Sequence, residues 1–309
     1  MIGDVARLAA AIALPAPLAA FGRIRSSGPD APAEQRPRAS DDPDLTRLSA
    51  WVAALRAERL TASNSPLGPS AARVGELAIG TPYEANTLEA YLHAGASGTT
   101  KEPLTLSLTR FDCVTLVEAC LATARVARAG GVPVWEQFAQ EVERMRYRDA
   151  TRGAYATRLH YFSEWIADGE RRGLLRDLGR SLGGVEDARP LRFMTAHRGS
   201  YVALSDQRVY EAIAQMERHL DGRPRAVIPT ARIAEVSDRI ETGDVLAFAT
   251  SISGLDVSHA ALAYRDERGV LRVLHAPLSG GTVEVSRNTL PDYVAAIRGS
   301  TGILVARSI

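Results

Sequence analysis

The strand-forming segments of this chain crowd toward its C-terminal end, and that uneven distribution limits the fold more than any other feature. Residues 245–250, 257–264, 270–276 and 302–306 are rich in Val, Leu and Ala and are joined by turns carrying Gly or Asp, the pattern of neighbouring antiparallel strands. Upstream the period is helical. Leu45, Leu48, Trp51, Val52, Leu55 and Leu60 recur at three- and four-residue intervals. The same holds for Trp135, Phe138, Ala139, Val142 and Met145, and for Val209, Ile213, Met216 and Leu220 ahead of Asp221-Gly222. Helices first and adjacent strands afterwards predict an α+β domain with an antiparallel sheet, a single unit over residues 45–309.

Ahead of that domain, residues 8–22 form an Ala- and Leu-rich stretch broken by Pro15 and Pro17. It is too short for a stable membrane span, and its order of apolar stretch, small residues and flexible tract is that of an export signal over residues 1–22. Residues 23–44, rich in Pro, Ser, Asp and Arg, read as a disordered linker. No lipobox-type cysteine lies near the N-terminus. A periplasmic or secreted, monomeric protein is expected.

Charge excludes several functions. Lys plus Arg number 37 against 36 Asp plus Glu, which gives no electrostatic reason for nucleic-acid binding. Lys101 is the one lysine, and it stands in Thr-Thr-Lys-Glu-Pro without the glycines of a phosphate-cradling loop. No C-x-x-C, H-E-x-x-H or clustered-histidine pattern marks a metal site, and no cofactor is implied.

Thiol chemistry rests on Cys113 and Cys120, too far apart on one helix to bond to each other. Residues 113, 116, 117, 120, 121 and 124 form an apolar helical face that ends at Gly130-Gly131, and Asp112 is a good N-cap. Cys113 then occupies the first helical position, where unpaired N–H groups and the helix dipole favour a thiolate. That makes it a candidate nucleophile. The same residue also fits a small buried apolar role, the role assigned to Cys120.

Of six histidines, sheet geometry singles out two. Residues 256–264 and 270–275 read as a hairpin with Gly269 in its turn. A turn centred on Glu267 sets His259 opposite His275 on one sheet face, and a bulge at Gly269 would shift the pairing by one residue. His259, which follows the loop 253–256, is the better base, and His275 the better orienter. A packing pair of half-buried histidines fits the same spacing, as does a zinc site of Cys113, His259 and His275. His93, His197 and His219 are read as surface or packing residues.

Asp112-Cys113-Val114-Thr115 at a helix start, Gly243-Asp244-Val245 before a strand, and Gly254-Leu255-Asp256-Val257-Ser258-His259 resemble the NlpC-type papain-fold hydrolases of bacterial cell walls. Gly80-Thr81-Pro82-Tyr83 is similar to the Gly-x-Pro-Tyr element that precedes their nucleophile. Arg158-Leu159-His160-Tyr161-Phe162-Ser163-Glu164-Trp165 is similar to a signature of one branch, the N-acetylmuramoyl-L-alanine amidase-like family. The likeness covers about residues 70–306.

This resemblance implies a papain-like fold, with a nucleophile-bearing helix packed on an antiparallel sheet among additional helices, and a Cys-His-His triad of Cys113, His259 and His275. It implies Tyr83 as a cleft residue and Arg158, His160 and Asp256 as substrate contacts, although a structural salt bridge fits Arg158 equally well. The implied partner is a peptidoglycan fragment, cut at the amide between N-acetylmuramic acid and L-alanine, often in an anhydro sugar-peptide. Rival activities are cleavage between D-glutamate and the diamino acid of the same stem peptide, acyl transfer on the same scaffold, and peptidoglycan binding without cleavage.

Overall fold

A computed structural model describes residues 42–62, 64–279 and 281–309. The export-signal reading and the linker up to residue 41 lie outside the described residues. The remaining linker residues are not linker. Asp42 accepts hydrogen bonds from the N–H groups of Asp44 and Leu45, and Pro43 fills the first turn, so helix α1 spans Pro43–Ala57. Cap chemistry, with Pro where a helix needs no N–H donor, starts the helix ahead of its first apolar residue.

Six more helices of seven residues or longer follow: α2 (Leu67–Leu77), α3 (Cys113–Ala129), α4 (Trp135–Arg146), α5 (Phe162–Arg171), α6 (Gln207–His219) and α7 (Leu290–Ala296). The strands are β1 (Leu175–Asp177), β2 (Val185–Asp187), β3 (Arg225–Pro229), β4 (Val245–Thr250), β5 (Val257–Arg265), β6 (Leu271–His275), β7 (Glu284–Val285) and β8 (Ser300–Ser308). All pairings are antiparallel, in the order β2-β3-β8-β4-β5-β6-β7, with β1 sharing one edge of β8 with β3. The α+β expectation is met in outline. Three short strands, β1 to β3, precede the predicted ones and extend the sheet past β8.

Alternation along the central strands divides the interior into two layers. Val245, Ala247, Ala260, Leu262 and Leu304 pack with Cys113 and the apolar faces of α1 to α4. Leu246, Phe248, Ala261, Ala263 and Val305 pack with Ile233, Val236 and α7 on the other side. A third cluster joins α6 to Tyr155, Tyr161, Phe193 and Leu255. The layers close tightly where β4 begins: Gly243 has φ +86°, and a Cβ there would lie 1.9 Å from the Gly68 carbonyl oxygen.

The hairpin register departs from expectation. Leu262 pairs with Leu274 and Arg265 with Leu271, so His259 lies two residues beyond the position opposite His275. The turn has the expected length but sits one residue further along, centred on Arg268 where Glu267 was expected, because Asp266 closes it, its carboxylate accepting the N–H groups of Arg268 at 3.0 Å and Val270 at 2.9 Å. A slip of two residues preserves the face. Among the described residues, no helix is long and apolar enough to cross a membrane.

Candidate active site

Asp112 caps α3 as predicted. Its Oδ1 accepts the N–H groups of Val114 at 3.0 Å and Thr115 at 2.7 Å, and the Thr115 hydroxyl accepts the Asp112 N–H at 2.9 Å. This reciprocal box fixes Cys113 as the first helical residue. The expectation of a thiolate at rest is corrected. Burial, with the Asp112 carboxylate adding to it, pushes the Cys113 thiol up to about 12, against the pull of the N–H groups of Ala260, Cys113 and Val114. The helix start acts in the predicted sense, and desolvation outweighs it.

His259 enters the site through an irregularity. Phe248 pairs with His259 whereas Ala249 pairs with Val257, which leaves Ser258 as the extra residue of a bulge at the start of β5. Bulges re-aim side chains at strand ends. The His259 ring lies 5.5 Å from that of Phe248, in the second layer, while the next residue, Ala260, packs in the layer that holds Cys113. Both side chains nevertheless border one cavity of about 50 Å³, with His160, Trp165 and Asp256 also in its wall. Behind His259, its Nε2 is 2.8 Å from His275 Nδ1. Burial holds both imidazoles neutral, His259 down to about 3, with His275 adding to the effect, and His275 down to about 4.

The other predicted residues divide. Asp256 is buried, and its carboxylate accepts the Ser163 N–H at 2.7 Å and the Val257 N–H at 2.8 Å. It thereby caps α5, whose own N-cap Tyr161 supplies no side-chain bond. The expected substrate contact at Asp256 is revised to a structural anchor of the loop before His259. Arg158 is likewise engaged, pairing with Glu89 at 2.7 Å and Glu102 at 3.5 Å beneath the surface. This is the structural salt bridge that the sequence left open.

His160 holds the Tyr155 carbonyl at 2.9 Å through Nε2 and is kept neutral mainly by burial. It also lines a second cavity of about 100 Å³, which shares Val114, Leu159 and Leu255 with the first and extends to Glu89, Tyr155 and Tyr201. Tyr83 is half-buried and bridges to Phe111, just before the Asp112 cap. Burial first, then Cys113 once ionised and the Asp112 carboxylate, raise its phenol, so it stays protonated.

Two neighbours of His275 escape sequence reasoning. Tyr293 on α7 brings its hydroxyl 3.4 Å from His275 Nδ1, and Glu284 on β7 stands opposite His275 in the strand register. Thr289 and Pro291 mark the start of α7, yet nothing local says that the helix returns to β6. Among the described residues, no group of three or more His, Cys, Asp or Glu is arranged to hold a metal ion, which leaves the zinc reading without a ligand cluster.

Known proteins share this fold. A crystal structure of an N-acetylmuramoyl-L-alanine amidase from Bacteroides uniformis superposes with a TM-score of 0.71 at 29% identity, over 79% of this chain and 99% of that one. A Bacteroides fragilis structure that carries the provisional label xylanase gives 0.66 at 31% identity, over 76% and 99%. A Legionella pneumophila protein, at 18% identity and a TM-score of 0.60 over 86% and 94%, shares the fold. No curated protein matches the chain. Residues 73–303 match the family described as N-acetylmuramoyl-L-alanine amidase-like. The chain belongs to the N-acetylmuramoyl-L-alanine amidase-like family.

Proposed function

We propose that the protein is a peptidoglycan hydrolase of the NlpC-type, papain-like kind that cleaves the amide between N-acetylmuramic acid and L-alanine through a Cys113 acyl-enzyme. One observation carries this reading: a cysteine at the first position of a capped helix shares a cavity with a histidine whose far ring nitrogen is held by a second histidine. Family membership supplies the substrate class.

Because burial keeps thiol and imidazole neutral at rest, the proton moves as the carbon–sulfur bond forms. His259 Nε2 is committed to His275, so Nδ1 takes the Cys113 proton while the sulfur attacks the lactyl carbonyl. The Cys113 N–H, which lies at the sulfur, and the protonated Tyr83 hydroxyl are the donors we assign to a developing oxyanion. The imidazolium then gives its proton to the departing alanine nitrogen, and the carbon–nitrogen bond breaks. Water, deprotonated by His259, attacks the thioester, and the proton returns to the sulfur as the acid leaves. The second cavity, which shares Val114, Leu159, His160 and Leu255 with the first, is the space we assign to the rest of the sugar-peptide.

Digestion of purified muropeptides, read by mass spectrometry, tests the reading. Free stem peptide together with peptide-free sugar supports it. Cleavage between D-glutamate and the diamino acid replaces it with the endopeptidase reading.

A further inference from the structure

His275 is completely buried, and its Nε2 has no hydrogen-bond partner. A buried imidazole normally satisfies both nitrogens, so an orphan at this position calls for an explanation. Its Nδ1 is accounted for by His259 Nε2 at 2.8 Å and the Tyr293 hydroxyl at 3.4 Å. Facing the orphan Nε2, at 3.8 Å, is Oε1 of Glu284, whose side chain is 47% exposed. The register makes this placement structural, because His275 and Glu284 are direct partners of the β6–β7 ladder, where paired side chains sit about 5 Å apart at Cβ.

A neutral imidazole carries its proton on one nitrogen and a lone pair on the other. A bare Nε2 would turn its lone pair toward a carboxylate, an unfavourable contact. A protonated Nε2 turns an N–H toward it. We propose that Glu284 is a positioning residue that holds the His275 proton on Nε2. His275 Nδ1 is then an acceptor, His259 Nε2 must be the donor between them, and the His259 lone pair is left on Nδ1, the nitrogen that the reaction requires to be bare. No atom is transferred to Glu284. It selects a tautomer two residues away from the sulfur, and the significance of that tautomer for turnover rests on the cysteine-amidase reading above.

Nitrogen-15 NMR of the histidine rings at neutral pH, in the parent, Glu284→Ala and Glu284→Gln, tests this without reference to activity. The parent should show His275 protonated at Nε2. Glu284→Ala, a change at a half-exposed strand position, should populate the Nδ1–H form and lower kcat on muropeptides about tenfold or more with KM unchanged. Glu284→Gln, whose amide oxygen still accepts, should keep the parent tautomer and most of kcat. A parent His275 protonated at Nδ1, or a Glu284→Ala protein with unchanged tautomer and kcat, overturns the proposal. A parent that hydrolyses no muropeptide while Glu284→Ala still shifts the tautomer defeats the amidase reading and leaves the role of Glu284 standing.

Discussion

The Nε2 of His259 and the Nδ1 of His275 are 2.8 Å apart, although the strand register sets the two residues on a diagonal of β5 and β6. Diagonal neighbours on one face lie about 7 to 8 Å apart at Cα, within reach of two imidazoles. The bond engages His259 Nε2 and leaves Nδ1 as the nitrogen that the proposed mechanism uses. Replacing His275 by Ala should therefore lower kcat by about 100-fold or more and leave KM near that of the parent. Steady-state kinetics on muropeptides checks it, and a rise in KM alone would instead make His275 a substrate contact.

The pH profile is predicted from the buried, neutral groups. His259 is depressed to about 3 and His275 to about 4, while Cys113 is raised to about 12. The form that the proposed mechanism requires, neutral thiol with neutral imidazoles, then spans the range between these limits. We expect kcat/KM to be flat from about pH 5.5 to about pH 9. A bell with limbs near 6.5 and 8.5 would show an ordinary histidine and cysteine and contradict this electrostatic account.

The same burial destabilises the fold in acid. A histidine depressed in the folded state takes up its proton first when unfolded, so the unfolded chain binds more protons once pH falls below its ordinary value near 6.5. The stability contributed by neutral His259 and His275 is complete above that pH and is lost progressively down to about 3 to 4. Each histidine contributes on the order of a few kcal/mol over that range. Denaturant titrations at pH 7 and pH 5 should show a clear loss at the lower value, smaller in His275→Ala. Equal stability at both would contradict the burial of these rings.

Much of this was legible in the sequence. Asp112, Cys113 and Thr115 announce a capped helix through local chemistry, and β4, β5, β6 and β8 declare themselves by composition. Parity along β5 and β6 put both imidazoles on one face even though the register was off by two, because a two-residue slip leaves side-chain direction unchanged. Features that depend on long-range return of the chain were illegible. The two-residue strand β7 that brings Glu284 to His275 has no periodicity to read, and Asp256 reads as a cleft residue until α5 is found against it. Burial decides the ionisation of Cys113, and no local motif reports it.

Asp256 should behave as an anchor. Asp256→Ala removes the acceptor for two backbone N–H groups, one of them at the start of α5, at a cost of about 1 to 3 kcal/mol. It also loosens the loop ahead of His259. A lowered Tm together with a lowered kcat is expected, with partial recovery in Asp256→Asn. An unchanged Tm with a raised KM would restore the substrate-contact reading.

Close packing of α2 on the start of β4 gives a prediction independent of chemistry. Gly243→Ala sets a Cβ against the Gly68 carbonyl at a positive φ, which should cost at least about 2 kcal/mol. Thermal unfolding checks it, and a Tm equal to that of the parent would mean that the two backbones are not in contact.

The central claim is that the Cys113 sulfur performs the cleavage, and incubation of purified muropeptides with the parent and with folded Cys113→Ala, followed by mass spectrometry, tests it most directly. The parent should release stem peptide from its sugar, and the variant should release none. Equal product from both would contradict the claim.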